Sequence, residues 1–142
     1  MILEYQLLED GNGFKGIAPR KMTKGSVGYD LYLPRTTPIF PGTIVAVSLL
    51  IAFDVPEPYY LEIFPRSSLQ TKYAVSAATA IIDTDYKKSI HAILHNTSGE
   101  KVTLKEGMRI LQFVVKKKED VEIRESVVFD TTGRGGLGST DK

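Results

Sequence analysis

Short apolar runs, broken by glycine, proline and polar turn residues, recur along almost the whole chain. Several of these runs have the length and the residue types of strands. They are Thr43–Val55, Tyr59–Phe64, Ala74–Asp83, Ser89–Asn96, Arg109–Lys117 and Val121–Phe129. No stretch keeps the 3.6-residue apolar period of an amphipathic helix over three turns, and Ser67–Tyr73 is expected to form one helical turn at most. Many short strands at close spacing predict an all-β sandwich or barrel.

The polar ends of this pattern indicate a single domain followed by an arm. A chain of 142 residues is of the usual size for one folded domain. Gly11–Gly25 is glycine-rich and basic, which is typical of a loop. Thr131–Lys142 is glycine-rich without apolar periodicity, and taken alone such a tail is usually disordered. We therefore expect a β domain over residues 1–130 and a flexible arm over residues 131–142.

Composition excludes several classes of function. Lys and Arg total 18 against 17 Asp and Glu, and the resulting net charge of +1 argues against binding nucleic acid through bulk charge. The chain has no cysteine, which excludes disulfides, a thiolate nucleophile and zinc-thiolate sites. No apolar run reaches the roughly 20 residues of a membrane span, and the N-terminus lacks the basic start of a signal peptide. A cytoplasmic location is expected, or the host cytoplasm if the chain is encoded by a phage.

The arm contains near-matches to two nucleotide motifs. Gly133, Gly135 and Gly138 have the spacing of a dinucleotide fingerprint, but that motif needs a helix after it, and no helical pattern follows here. A phosphate loop would also need a lysine that is absent. Arg134 and a run of backbone amides still offer good chemistry for binding an anion.

Two further motifs follow predicted strands. Arg66, in the sequence PRSSL, offers a planar fork for phosphate oxygens, although such a segment alone is equally a surface turn. Asp83, in the sequence IIDTDY, could activate a water or hold a sugar hydroxyl, or simply stabilise the turn of a hairpin that runs into Ser89–Asn96. His91 and His95 lie on a predicted strand, where a spacing of four residues does not build a zinc site.

Taken in order, five motifs resemble those of the trimeric dUTPases. They are Gly28–Leu31 (GYDL), Pro65–Leu69 (PRSSL), Ile82–Tyr86 (IDTDY), Gly107–Gln112 (GMRILQ) and Arg134–Thr140 (RGGLGST). The resemblance implies a jelly-roll-like, distorted β-barrel that forms a homotrimer, with each active site built from motifs of all three chains and closed by the arm of one subunit. It also implies hydrolysis of dUTP to dUMP and pyrophosphate with Mg²⁺, no direct nucleic-acid partner and no membrane.

The same resemblance implies roles at the reacting centre. Asp83 would orient the attacking water and meet the sugar 3′-hydroxyl, and Tyr86 would pack under the deoxyribose. Ile82 would contact the substrate beside them. Asp30 would hold magnesium through water, and Gln112 would contact both phosphate and water. Backbone groups of residues 78–92 would read the uracil.

The remaining implied site residues bind substrate, mainly through its phosphates. They are Arg66, Ser67, Ser68, Arg134, Gly136, Leu137, Ser139 and Thr140. Arg66 would also take part in catalysis by neutralising charge.

Several positions depart from the family pattern. Ala80 and Lys88 stand where glycine is usual, and Leu137 stands where most members have the phenylalanine that stacks on uracil. The altered hairpin and arm leave open a catalytically weak protein of the same fold that senses nucleotides or acts as a regulator. The related dCTP deaminases, which share the fold, are a further alternative.

Overall fold

The computed structural model describes residues 1–137, which form eleven strands and one short helix. The elements are β1 (Glu4–Leu7), β2 (Tyr29–Tyr32), β3 (Thr37–Ile39), β4 (Ile44–Ser48), β5 (Ile51–Asp54), β6 (Tyr59–Pro65), α1 (Ser67–Tyr73), β7 (Val75–Ala77), β8 (Ala80–Ile82), β9 (His91–Asn96), β10 (Val102–Leu104) and β11 (Arg109–Lys117). The described part of the chain contains no helix that is both long and apolar enough to cross a membrane.

The strands form four antiparallel sheets. One has the order β2-β11-β6-β8 and another the order β4-β9-β7, while β1 pairs with β5 and β10 pairs with β3. Neighbours in a sheet are mostly distant in sequence, as in a jelly roll, where connections cross between sheets. The predicted all-β, jelly-roll-like class is confirmed.

The core lies between the sheets and is apolar. Phe113 of β11 is at its centre, stacked on Tyr29 at 5.1 Å between ring centroids and edge-on to Phe53 at 5.0 Å. Burying such a ring contributes about 2 to 3 kcal/mol. The other fully buried large side chains are Leu31, Leu33, Ile39, Leu49, Ile51, Leu61, Ile63, Leu69, Leu94, Leu104 and Ile110. This packing holds β2 and β11, which carry part of the site described below, in a fixed register.

The predicted strand Thr43–Val55 is divided into β4 and β5 by a sharp corner. Leu50 has a φ of 54°, a left-handed conformation that a β-branched residue at this position would resist. Its N–H donates to the hydroxyl of Ser48 at 3.1 Å, and its carbonyl accepts from the N–H of Leu8 at 2.8 Å. A Cβ on Gly16 would lie 1.9 Å from that same carbonyl oxygen, so only glycine fits there. Several separate contacts therefore fix the corner.

The predicted strand Ala74–Asp83 is also divided, and its two halves pair with different sheets. β7 pairs with β9, as Val75 opposite Asn96 shows, whereas β8 pairs with β6, with Ile82 opposite Leu61. The predicted hairpin into Ser89–Asn96 is therefore correct for the first half only. The turn that carries Asp83 lies where the chain crosses back from one sheet to the other.

The helix is longer than predicted. α1 has seven residues, which makes two turns rather than one. It ends at Tyr73 and is capped by Ala74, whose φ of 53° is left-handed and whose N–H donates to the carbonyl of Gln70 at 3.1 Å. Leu69 is fully buried and anchors the helix to the core.

The prediction of a last strand over Val121–Phe129 is wrong. β11 ends at Lys117, and residues 118 to 137 contain neither helix nor strand. The apolar side chains of this stretch stay in solvent, with Val121 74% and Ile123 92% exposed. An alternating apolar pattern needs a neighbouring strand to become a strand itself, and this chain alone does not supply one.

Candidate active site

Three of the five motifs meet in one open cleft of about 590 Å³. β11 lies between β2 and β6, with Gln112 opposite Asp30 on one side and opposite Phe64 on the other. Directly opposite residues in antiparallel strands are about 5 Å apart, so these motifs become neighbours although they are far apart in sequence. Arg66 and Ser67 follow β6 immediately and line the same cleft.

Asp30 is the buried carboxylate of this cleft, with only 7% of its surface exposed. Arg66 Nε lies 3.7 Å from its Oδ1, and Arg109 Nη1 lies 3.5 Å from its Oδ2. Its backbone is held from the other side, where its N–H donates to the carbonyl of Arg20 at 2.7 Å. The two guanidinium groups offset the desolvation cost of burying a carboxylate. Two guanidinium groups for one carboxylate leave the cleft with an excess of positive charge.

Gln112 lies directly over Gly28. A Cβ built on Gly28 would stand 2.6 Å from Gln112 Oε1, which is closer than real Cβ contacts come. The φ of Gly28 is not positive, so the backbone itself does not require glycine. The missing side chain of Gly28 therefore makes room for the amide group of Gln112 in the cleft.

The two serines of the PRSSL motif face different spaces. Ser67 lines the cleft of Asp30, whereas Ser68 lies in an adjoining cleft beside Lys72. Arg66 and Arg109 form the wall that the two clefts share. The basic character of the site thus extends beyond the space around Asp30.

Arg109 is a residue that sequence reasoning missed. Residues three apart on a regular strand point to opposite faces, so Arg109 and Gln112 are not expected to line one cleft. The pairing of β11 with β2 shifts between Arg109 and Leu111, which is a β-bulge. The bulge turns both polar side chains to the same side and buries Ile110 and Leu111 in succession. In the sequence, the only sign of this bulge is that two adjacent apolar residues, Ile110 and Leu111, stand between two polar ones.

The IDTDY motif lies at the far edge of the same sheet. β8 is separated from β2 by β6 and β11, which amounts to about 14 Å at ordinary strand spacing. Asp83 is exposed, Ile82 is 7% exposed, and neither lines the cleft of Asp30. The Tyr86 hydroxyl donates to the carbonyl of Ser89 at 2.7 Å, which fixes the ring against the turn. One chain does not bring its own Asp83 to its own Asp30.

The arm residues that the structure describes do not reach the cleft either. Arg134, Gly136 and Leu137 are all exposed, and none of them lines it. Ser139 and Thr140 lie outside the described residues. The structure thus brings together Asp30, Arg66, Ser67 and Gln112, and leaves the other described site residues apart.

This geometry defines an antiparallel β protein with a basic cleft around one buried carboxylate, a donor set suited to phosphate groups. A family model described as dUTPase matches residues 15–141. The deoxyuridine 5′-triphosphate nucleotidohydrolase of Candida glabrata is 35% identical over 144 residues, which are 99% of this chain and 97% of that protein. The corresponding protein of Rickettsia canadensis is 35% identical over 133 residues, which are 89% of this chain and 90% of the relative. The chain belongs to the dUTPase family.

Solved structures of low sequence identity share the fold. The dUTPase of Staphylococcus bacteriophage 80alpha, determined with dUpNHpp, matches with a TM-score of 0.86 at 20% identity, over 98% of each chain. A mutant dUTPase from phage phi11 of S. aureus, described as coordinating a structural Mg(II) ion, matches with a TM-score of 0.80 at 19% identity, over 91% of this chain and 99% of that one.

Proposed function

We propose that the chain hydrolyses dUTP to dUMP and pyrophosphate by attack of water on the α-phosphorus. The observation that carries the proposal is the 35% identity to a deoxyuridine 5′-triphosphate nucleotidohydrolase over nearly the full length of both chains. The product pair follows from the bond that breaks, because attack at the α-phosphorus leaves the β- and γ-phosphates together. Such a reaction keeps uracil out of DNA and supplies dUMP for dTMP synthesis. A free nucleoside triphosphate as substrate also fits a cytoplasmic location.

The cleft supports a division of labour around the triphosphate. Arg66, Ser67 and Gln112 are proposed to hold the phosphates, because all three line one space and carry hydrogen-bond donors. Arg109 adds a second guanidinium, which the motif resemblance did not single out. Phosphoryl transfer depends on positioning and on neutralising charge, and this donor set supplies both.

Magnesium fits the residues present. Among residues 1–137 no group of three or more His, Cys, Asp or Glu side chains could hold a metal alone, and Asp30 is the carboxylate that lines the cleft. Mg²⁺ keeps several waters and takes ligands from substrate phosphates, so a single carboxylate suffices. Asp30 would hold the ion through water, and the bound ion would offset charge on the phosphates.

Catalysis is proposed to need a homotrimer. The sheet order separates β8, which leads into Asp83, from β2, which carries Asp30, by about 14 Å at ordinary strand spacing, so a second copy would supply Asp83 and Tyr86 as water-orienting carboxylate and deoxyribose platform. Residues 78–92 would read uracil in that copy. Five apolar side chains between Val121 and Phe129 are exposed, which supports association, since large exposed apolar patches are rare in monomers.

The arm is proposed to close the site from a third copy. Its contacts with the phosphates and the base would come from Arg134, Gly136, Leu137, Ser139 and Thr140. Leu137 offers an aliphatic contact to uracil where an aromatic ring is absent. Residues 131–142 are thus proposed as a lid on a β domain of residues 1–130, whose last strand ends at Lys117.

The test is a panel of pyrophosphate-release assays with magnesium over dUTP, dTTP, dCTP and UTP. Turnover of dUTP alone is expected, because Tyr86 would exclude a ribose and the backbone of residues 78–92 would exclude other bases. Asp83→Asn should reduce kcat by roughly a hundredfold or more while leaving dUTP binding, because the base is lost but its shape is kept. Binding without any turnover by the wild-type protein would instead favour a nucleotide sensor, and ammonia release from dCTP would favour a deaminase.

A further inference from the structure

The turn that carries Asp83 is held by side-chain contacts with the chain between β5 and β6. Thr84, next to Asp83, donates its hydroxyl to Glu57 Oε1 at 3.1 Å. Lys87, at the other end of the turn, forms an ion pair with Asp54 at the end of β5. Within the turn, the N–H of Tyr86 donates to the carbonyl of Asp83 at 3.2 Å. The turn is therefore held at one end by the loop between β5 and β6 and at the other by the last residue of β5, although it is exposed.

Glu57 has a second partner, which comes from the end of β11. Lys118 Nζ lies 2.9 Å from Glu57 Oε1 and 2.8 Å from Oε2, and its backbone N–H donates to the carbonyl of Pro58 at 2.8 Å. Lys118 is the first residue after the last strand, where the C-terminal segment leaves the barrel. One carboxylate thus connects the Asp83 turn with the root of that segment.

The charges of this cluster support one another. The hydrogen bond from Lys118 lowers the pKa of Glu57, and the hydroxyl of Thr84 acts in the same direction. The hydrogen bond to Glu57 raises the pKa of Lys118, to which the nearby charges of Asp120 and Asp83 also contribute. Both partners are therefore charged at neutral pH, and Lys118 is close enough to Asp83 to interact with its carboxylate.

We propose that Glu57 is a positioning residue for hydrolysis, which holds the Asp83 turn through Thr84 and couples it through Lys118 to the start of the C-terminal segment that follows β11. The inference rests on the proposed role of Asp83 and adds a residue that lies outside the five motifs. Glu57 does not touch the substrate. It limits the orientations of the turn, and a carboxylate that must aim a water loses rate quickly when its position is loose.

Removal of the Thr84 hydroxyl tests the hydrogen bond between the Asp83 turn and Glu57 most directly. Thr84→Val keeps the shape of the side chain and removes only the hydroxyl, and it should lower kcat about three- to tenfold, the equivalent of one modest hydrogen bond, with KM for dUTP within about twofold. Thr84→Ser restores the hydroxyl and should restore kcat. Glu57→Ala should match Thr84→Val or exceed it. The double variant should be no slower than Glu57→Ala alone, because the hydroxyl then has no acceptor.

Lys118→Met and Lys116→Met form a matched pair. Lys116 of β11 lies with its Nζ 3.2 Å from Oε2 of Glu62 on the neighbouring strand β6, and this ion pair has no bond to the Asp83 turn. Only Lys118→Met should lower kcat, and both variants should keep the melting temperature within a few degrees, since exposed ion pairs contribute little to stability.

Unchanged kcat in Thr84→Val would overturn the proposal, as would losses that multiply in the double variant or equal effects of the two lysine substitutions. A merely structural role would lower the melting temperature and leave kcat per folded protein unchanged, which also contradicts it. Failure of the proposed function can be told apart from failure of this inference. The wild-type protein would then not turn over dUTP, and a wrong role for Asp83 would show as retained turnover in Asp83→Asn.

Discussion

Gly28→Ala is expected to impair hydrolysis by displacing Gln112 rather than by disturbing the fold. The added Cβ would lie 2.6 Å from Gln112 Oε1, while the Cδ and Cβ atoms of the same side chain would be at 3.5 and 3.6 Å. The strained contact is therefore with the end of a flexible side chain, which can rotate away at little cost. Because Gly28 has no positive φ, alanine adds no backbone strain.

The expected loss follows from the hydrogen bond that Gln112 is proposed to make to a charged phosphate. Such a bond contributes about 1.5 to 3 kcal/mol, so its removal should lower kcat/KM for dUTP by about tenfold to a hundredfold. Pyrophosphate release under steady-state conditions measures this ratio. The melting temperature should change by less than about 2 °C, because only a side-chain end moves.

Gly25→Ala and Gln112→Ala control the interpretation. A Cβ on Gly25 meets nothing within 4 Å, so Gly25→Ala should retain full activity. In the Gln112→Ala background the amide is already gone, and Gly28→Ala should then cost nothing more. The reasoning is refuted if Gly28→Ala is as active as the wild type, or if its effect is unchanged when Gln112 has been removed.

Three other changes have expected outcomes of different kinds. Asp30→Asn should raise the Mg²⁺ concentration for half-maximal rate by about tenfold or more, measured by metal titration of pyrophosphate release, because the charged carboxylate that would hold the water of the ion becomes a neutral amide; an unchanged metal dependence would contradict the role of Asp30. Asn96→Ala should lower the free energy of unfolding by about 3 kcal/mol in a urea titration, because the buried amide donates to two carbonyls and accepts from Ser98; a loss below 1 kcal/mol, roughly one ordinary hydrogen bond, would contradict it. Phe129→Asp should shift the protein toward monomer in sedimentation velocity and reduce turnover in parallel, because a 69% exposed ring on the C-terminal segment would be buried in the trimer; an unaltered trimer would remove this segment from the interface.

The fold class was predictable because local patterns carry it, but the strand pairing was not. Apolar runs located β6, β9 and β11 to within a residue or two. They did not reveal the corner at Leu50, which depends on a backbone conformation and on the close approach of Gly16 from a distant loop. Nor did they show that β8 leaves β7 to pair with β6, because the partner of a strand depends on contacts with residues distant in sequence. Long-range packing overrides the local pattern at these points.

The expected strand Val121–Phe129 failed for a related reason. Its alternating apolar residues favour a strand, but in the described chain no neighbouring edge pairs with it, and the side chains stay exposed. The alternating pattern therefore indicates a segment that could pair with another strand, although it is not paired within the described chain. That is the behaviour expected of a segment whose partner belongs to another copy of the chain.

Sheet order explains why the site residues divide as they do. β11 lies between β2 and β6, so Asp30, Arg66 and Gln112 must meet, and the bulge adds Arg109 on the same side. The same order places β8 beyond β6, so the Asp83 turn cannot approach that cleft without breaking the β6 pairing. A chain that builds the proposed phosphate-binding part of the site around Asp30 therefore cannot add its own Asp83, the proposed water-orienting carboxylate. In the proposed trimer, assembly is then part of the chemistry, and the Glu57 link gains its importance because the Asp83 turn must be presented to another chain in a defined position.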